Sequence, residues 1–201
     1  MNPLKTTLTA LLTGCAALVS VEIFALPMQD PLQGQHFSPE TQINRANLKD
    51  LAPAWIHQSG DLTSNPQSLH NSAGQSTPIL LPEEAGASLV YCTPFNRVIA
   101  LDPASGKVRW ESDPQINRDN TRPFRCRGVS YWSLPENIAG NSCRQRIYSL
   151  TADRRLIAMD AFTGKLCPES GNGGEAALAE HGRLKPDQVA SSSPPAIANG
   201  V

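Results

Sequence analysis

The sequence lacks an excess of charge of either sign, because 17 lysines and arginines face 18 aspartates and glutamates for a formal net charge of -1. Proteins that bind nucleic acid usually carry a basic face, so we expect no nucleic-acid partner. The sequence also lacks a GxGxxG turn after a strand, a Walker loop and a GxSxG elbow, which excludes the common dinucleotide, nucleotide-phosphate and serine-hydrolase sites. There is no CxxC, and the histidines show no spacing for a metal, so no zinc site is expected. The histidines are His36, His57, His70 and His181.

Aromatic residues are scarce as well, at 5% of the chain, whereas the 14 glycines and 17 prolines are plentiful. Glycine and proline at this density interrupt regular elements and favour short strands over long helices. The composition therefore predicts an all-β fold.

The N-terminus differs in kind from the rest of the chain. Lys5 precedes an apolar run at residues 8–21, and Ala25 in "IFA" is a small residue suited to cleavage. This layout is typical of a secretory signal peptide. We therefore expect residues 1–25 to be a signal peptide or N-terminal anchor and residues 26–201 to form an exported domain.

Two alternatives to cleavage stay open. Residues 8–26 are barely long enough to span a bilayer and include Glu22, so a retained anchor is the weaker of the readings. "LTGC" at 12–15 resembles a bacterial lipoprotein cleavage box with Cys15 as the lipidated residue, although it would leave an apolar mature N-terminus.

Four cysteines follow the predicted signal: Cys92, Cys126, Cys143 and Cys167. An oxidising compartment permits disulfides, and an even number of cysteines is consistent with pairing. Buried free thiols are the alternative, above all for Cys92 and Cys126.

An internal repeat predicts the architecture. "VYCTPFNRVIALDPASGKVRW" (90–110) and "IYSLTADRRLIAMDAFTGKLC" (147–167) each contain a strand, a polar turn, a second strand ending in Ala-x-Asp, a Gly-Lys turn and a third strand. Asp102 and Asp160 lie 58 residues apart, at matching points of tight hairpin turns. A four-stranded antiparallel unit of this size is a β-propeller blade. Two unrelated hairpins with similar turns are the alternative.

The segments around the repeats give weaker indications. Residues 41–61 predict a short helix followed by a strand through Trp55, and 168–192 predict a loop in which "EAALAEHG" is a candidate helical piece. Propellers need about four to eight blades, whereas this chain holds about three. We therefore expect an incomplete β-propeller.

Four motifs in order give a resemblance to a known family: "NRVIALDPASGKVRW", "CRGVSYW", "RRLIAMDAFTGKLC" and "SSPP". Together they resemble the membrane-associated quinoprotein dehydrogenases that use pyrroloquinoline quinone (PQQ), in the glucose, quinate and shikimate branch. The resemblance implies an eight-bladed propeller with PQQ at its axis. It also implies periplasmic oxidation of a sugar or cyclic polyol, with electrons passed to ubiquinone in the inner membrane.

The resemblance also implies three cofactor-binding residues. Arg127 occupies the place of an arginine that contacts the quinone cofactor, and its planar guanidinium suits a carboxylate-bearing anion. Gln75, three residues before Pro78, and Ser192 of "SSPP" match two further polar contacts. A structural ion pair is the alternative role of Arg127. Pro123 stands about where the glucose enzymes have a histidine, so we expect one face of the cofactor site to be altered.

The family pattern also has cysteines at positions 143 and 167, so the resemblance implies a Cys143–Cys167 disulfide. The reaction needs a general base and a calcium or magnesium ion, whose residues the family places in later blades. We therefore assign no catalytic residue and no metal ligand to this sequence. Asp102 and Asp160 are explained as turn residues.

Two other functions compete with that of a dehydrogenase. A non-catalytic propeller that serves as a scaffold in outer-membrane protein assembly would share blade repeats and would suit a lipidated Cys15. A dehydrogenase that has lost its function would suit Pro123 in place of a histidine. The "CRGVSYW" motif favours the dehydrogenase, because a scaffold needs no cofactor arginine.

Overall fold

The computed structural model describes residues 41–64, 70–118, 123–134, 143–178 and 191–197. All of these residues except Thr41 and Gln42 belong to the unit formed by Ile43–Val201. In these ranges the chain is built mainly of short strands. They are β1 (Ser72–Gly74), β2 (Ile79–Leu80), β3 (Leu89–Cys92), β4 (Val98–Leu101), β5 (Val108–Ser112), β6 (Phe124–Cys126), β7 (Ser130–Ser133), β8 (Gln145–Leu150), β9 (Arg155–Asp160) and β10 (Glu175–Ala177). The helices of this part are single turns at Leu48–Asp50, Asp61–Ser64 and Glu83–Ala85, and none is long and apolar enough to cross a membrane.

Eight of the strands form two antiparallel sheets of four, which we call the first and second blades. The first blade has the order β2-β3-β4-β5 and the second the order β7-β8-β9-β10, so each blade follows the chain from one edge to the other. The prediction of an all-β, partial propeller is confirmed. Within the described ranges the sheets are partial and do not close into a ring.

Apolar strands at the centre of each blade form the core between them. All four residues of β4 are buried, and the cluster around them joins Val90 and Ala100 of the first blade to Ile147, Ile157 and Met159 of the second. Burying an aliphatic side chain of this kind contributes about 1.5 to 3 kcal/mol. The two blades therefore share one hydrophobic core.

The repeated aspartates make the hairpin turns that the sequence predicts. Asp102 Oδ1 accepts a hydrogen bond from the backbone N–H of Ser105 at 2.9 Å, and Asp160 Oδ1 accepts one from the N–H of Thr163 at 2.9 Å. Arg109 donates a hydrogen bond to the other carboxylate oxygen of Asp102 at 2.7 Å, and this contact, together with the hydrogen bonds from Ser105, lowers the pKa of Asp102 to about 2. Both aspartates are turn residues, as predicted.

A tryptophan of the first blade is docked on the turn of the second. The indole N–H of Trp110 donates to the carbonyl of Ala161 at 3.0 Å. Gly164 has a positive φ of +68°, and a Cβ at this position would lie 2.4 Å from the Trp110 ring. Trp55 lies in the same way against Gly106, and its indole N–H donates to a carbonyl of that turn at 3.0 Å. The glycines are therefore required both by the backbone and by the rings that cover them.

The strand predicted through Trp55 is wrong. Residues 51–60 form no strand in the structure, and the predicted helix is the single turn Leu48–Asp50. The apolar ring of Trp55, which led to the prediction, is accommodated by docking on the Gly106 turn instead of by pairing in a sheet.

The helical piece predicted from "EAALAEHG" is also wrong where the structure describes it. Glu175–Ala177 form β10, the outer strand of the second blade, with Glu175 opposite Ile157. The strand predicted directly after Gly164 is reduced to a single bridge between Leu166 and Met159. After this bridge the chain makes a further turn, and only then does β10 pair with the free edge of β9.

Cys143 and Cys167, the pair that the resemblance implies, are bonded to each other, with their Cα atoms 5.6 Å apart. Both are buried in a small cluster with Ala158. The bridge joins the chain that precedes β8 to the chain that follows β9. The predicted signal peptide at 1–25 lies outside the described residues.

Candidate functional site

Three segments that lie far apart in the sequence run side by side. We call them the lead-in segments: residues 72–78, which precede β2, residues 123–129, which precede β7, and residues 191–197. β1 of the first pairs in parallel with β6 of the second, in the register Ala73 to Arg125. The pairing places the chain that leads into the first blade beside the chain that leads into the second blade.

Arg127 lies in the middle of this arrangement. Its backbone carbonyl accepts a hydrogen bond from the N–H of Thr77 at 2.9 Å, and its own N–H donates to the carbonyl of Ser192 at 2.7 Å. The first residue of β7, directly after the second segment, also meets the third segment, because the Ser130 hydroxyl donates to the carbonyl of Pro195. The main chain of Arg127 is therefore fixed from both sides.

Alternation along β6 determines which side chains face the core. Phe124 and Cys126 are buried, Arg125 between them is half-buried, and Arg127 is exposed. The Phe124 ring packs against Phe95 with their centroids 5.2 Å apart. Because side chains alternate along an extended chain, these anchors turn the two arginines towards the opposite face.

The structure brings together all three residues that the resemblance assigns to the cofactor. Arg127 Nε lies 3.5 Å from Gln75 Oε1, and Ser192 accepts from the Arg127 backbone through its carbonyl. No carboxylate in the described ranges pairs with the Arg127 guanidinium. The alternative role of Arg127, a structural ion pair, therefore has no partner within this part of the chain.

A disulfide that the sequence left open lies directly behind the site. Cys92 of β3 is bonded to Cys126 of β6, with Cα atoms 5.9 Å apart and both residues only 2% exposed. The Cys92 N–H also donates to Ser76 Oγ at 3.1 Å. Ser76 adjoins Gln75, and Cys126 adjoins Arg127. The bridge therefore fixes the backbone beneath both polar side chains.

The charge of the lead-in segments has one sign. They contain two arginines, Arg125 and Arg127, and neither an aspartate nor a glutamate. Their other polar groups are hydroxyls, the Gln75 amide and backbone groups. This set of groups can receive a planar or multiply charged anion. The single sign of charge could have been read from the sequence, but not the proximity of the three segments.

A concavity of about 470 Å³, apart from the lead-in segments, is lined by three carboxylates and one arginine. Arg155, at its wall, pairs with Asp153 and Glu175, with both N–O distances at 2.9 Å. Burial alone would raise the pKa of Asp153, but hydrogen bonds from Arg155 and Thr151 more than offset it, so that the pKa is lowered. This cleft offers no unpaired cation of the kind found at Arg127, because its one arginine is paired and its third acidic residue, Asp113, adds negative charge.

No group of three or more histidine, cysteine, aspartate or glutamate side chains that could hold a metal occurs among the residues that the structure describes. Pro123, at the position that the resemblance gives to a histidine, is exposed immediately before β6. What this part of the chain offers is a set of groups that can bind an anion.

Comparisons with known proteins identify the family of the chain. The family model for the PQQ β-propeller domain of glucose, ethanol and alcohol dehydrogenases matches residues 28–201. The quinoprotein glucose dehydrogenase of Escherichia coli is 36% identical over 173 residues, which are 83% of this chain and 21% of that protein. The quinate/shikimate dehydrogenase (quinone) of Acinetobacter baylyi is 32% identical over 162 residues, which are 73% of this chain and 19% of that protein.

Among solved structures, the quinohemoprotein alcohol dehydrogenase ADHIIG of Pseudomonas putida is 25% identical, with a TM-score of 0.47 and coverage of 65% of this chain and 16% of that chain. The protein spans about a fifth of the length of its glucose and quinate/shikimate relatives. Because the family match extends over most of its residues, the chain belongs to the family of PQQ-dependent quinoprotein dehydrogenases with a β-propeller domain.

Proposed function

We propose that this chain supplies part of the PQQ site of an oxidoreductase that oxidises a sugar or cyclic polyol of the glucose or quinate class. The observation that carries the proposal is the convergence of Arg127, Gln75 and Ser192 on adjacent lead-in segments that hold no acidic residue. The names of the relatives, which act on glucose or on quinate and shikimate, support the substrate class.

The groups present fit the cofactor by their chemistry. PQQ carries three carboxylates and a quinone, and when bound it accepts the two electrons removed from an alcohol. Arg127 offers a permanently charged, planar donor without a described carboxylate partner, so it can bind one of those carboxylates in a bidentate manner. Gln75 restrains the Arg127 side chain through its amide oxygen, 3.5 Å from Nε.

The divalent ion and the electron acceptor complete the proposal. The family uses a calcium or magnesium ion that polarises the quinone, and we assign it no ligand among the described residues. We place the enzyme in the periplasm at the inner membrane, with ubiquinone as its acceptor. The apolar run at 8–21 and the small residue Ala25 support export.

Direct binding tests the proposal. The purified chain is titrated with PQQ in a calorimeter, together with Arg127→Gln and with Arg109→Gln as a control. Arg109 lies on β5, at the edge of the first blade opposite β2, where it pairs with Asp102. We expect saturable binding that Arg127→Gln weakens at least tenfold and that the control leaves unchanged. Absence of binding, as a non-catalytic scaffold predicts, or equal affinities for all three proteins, would overturn the proposal.

A further inference from the structure

Arg125 is a second arginine at the site to which nothing above assigns a role. It lies two residues before Arg127, between the buried residues Phe124 and Cys126. Two residues of extended chain span about 6.6 Å, and their side chains point to the same face. Arg125 and Arg127 therefore form a pair of guanidinium groups on one face of the second lead-in segment.

The surroundings of Arg125 leave its charge without compensation. Its Nε is shielded from solvent and has no hydrogen-bond partner. Within the described part of the chain no carboxylate pairs with it, whereas Arg97, Arg109 and Arg155 each contact one. A buried donor left without an acceptor is costly to a folded protein, and more so when it carries a charge.

The chain that pairs with β6 places only a small side chain beside Arg125. Its partner in the parallel pairing is Ala73, whose small side chain lies on the same face. Gln75, which directly follows β1, already contacts Arg127. An anion bound at Arg127 would therefore find Arg125 as its nearest further cation along the segment.

We propose that Arg125 is a second carboxylate-binding residue of the cofactor site, which takes one carboxylate of PQQ while Arg127 takes another. This inference rests on the proposed function. A ligand with several carboxylates on a rigid ring can satisfy two guanidinium groups that extend from residues about 6.6 Å apart along the chain, whereas a single carboxylate can occupy only one of them in a bidentate manner. The pair therefore selects for a polycarboxylate and fixes the orientation of its ring.

The test compares PQQ with its trimethyl ester, which keeps the ring but has lost the three charges. Binding of each is measured calorimetrically for the unchanged chain, Arg125→Gln, Arg125→Lys and the control Arg109→Gln. We expect Arg125→Gln to weaken PQQ binding at least tenfold and Arg125→Lys to restore part of the loss, because a lysine keeps the charge without the planar fork. The ester is expected to bind these proteins with equal affinity, and Arg125→Gln to reduce the dependence of PQQ binding on salt.

Two outcomes separate this inference from the function on which it rests. If the unchanged chain binds PQQ and Arg125→Gln binds it equally well, Arg125 has no part in the site and the proposed function stands. If Arg125→Gln weakens the ester as much as PQQ, its role is structural and the inference fails. If the unchanged chain binds no PQQ, the proposed function fails and the inference with it. Thermal unfolding of each variant establishes that the folded protein is being compared.

Discussion

Removal of the Cys92–Cys126 disulfide is expected to weaken cofactor binding by more than its effect on stability accounts for. The bridge joins β3 to β6, and its two ends adjoin the chain that carries Gln75 and Arg127. The chain contains its own control, because the Cys143–Cys167 bridge lies around β8 and β9, within the second blade. We compare the double variant Cys92→Ala/Cys126→Ala with the double variant Cys143→Ala/Cys167→Ala.

The two bridges are nearly equal in their expected contribution to stability. They close loops with sequence separations of 34 and 24 residues, for which the chain-entropy model gives about 4 and about 3.5 kcal/mol. In a chain of this size each loss lowers the melting temperature by about 7 to 16 °C. Stability alone therefore does not distinguish the two variants.

Cofactor affinity is expected to distinguish them. Without the Cys92–Cys126 bridge, the backbone beneath Arg127 loses a covalent restraint, and the charge-assisted contacts of the guanidinium are made less often. A tenfold rise in Kd, which corresponds to about 1.4 kcal/mol, is a fraction of such a contact. Titration with PQQ at 15 °C, well below the melting transition, measures the folded protein. Unchanged affinity in the Cys92 and Cys126 variant, or equal losses in both variants, would refute the reasoning.

Two predictions concern the turns. Gly164→Ala is expected to lower the free energy of unfolding by about 2 to 4 kcal/mol, because it combines strain at positive φ with a clash against the Trp110 ring. The control Gly173→Ala has a similar φ and nothing within 4 Å, so its free energy of unfolding, measured by urea denaturation, should fall by less. An equal fall in both variants would contradict the role of the Trp110 ring. Because its pKa is lowered from 3.8 to about 2, Asp102 should stabilise the fold above about pH 4 and lose that effect as the pH falls through 2. Carboxyl NMR titration should show this midpoint and its return towards 3.8 in Arg109→Gln, and a midpoint near 3.8 in the unchanged protein would count against it.

The sequence predicts most reliably what depends on neighbouring residues. The turn at Asp102 follows from a side chain that accepts from backbone groups two and three residues away, so its repeat at 58 residues was sufficient to predict blades. Trp55 was misassigned because an apolar aromatic residue in a short extended segment looks the same whether it pairs in a sheet or docks on a turn.

The site itself depends on contacts that span much of the sequence. Arg127 and Gln75 are 52 residues apart, and their proximity follows from the parallel pairing of β1 with β6, for which neither strand has a local pattern. The resemblance named the residues without their geometry. Likewise, four cysteines allow three pairings, so that composition left the partner of Cys92 open. Arg125 was passed over because its face depends on a strand that was not predicted.

The contact of Trp110 with the Gly164 turn has a direction. The blade that comes first in the chain supplies the Trp110 indole and the following blade supplies the Gly164 turn, so the contact is head-to-tail and joins two unlike surfaces. Head-to-tail joints with a constant rotation form rings. During synthesis from the N-terminus, Trp110 is made before the Gly164 turn on which its side chain docks. Each blade can thus act as the template against which the next blade folds and packs.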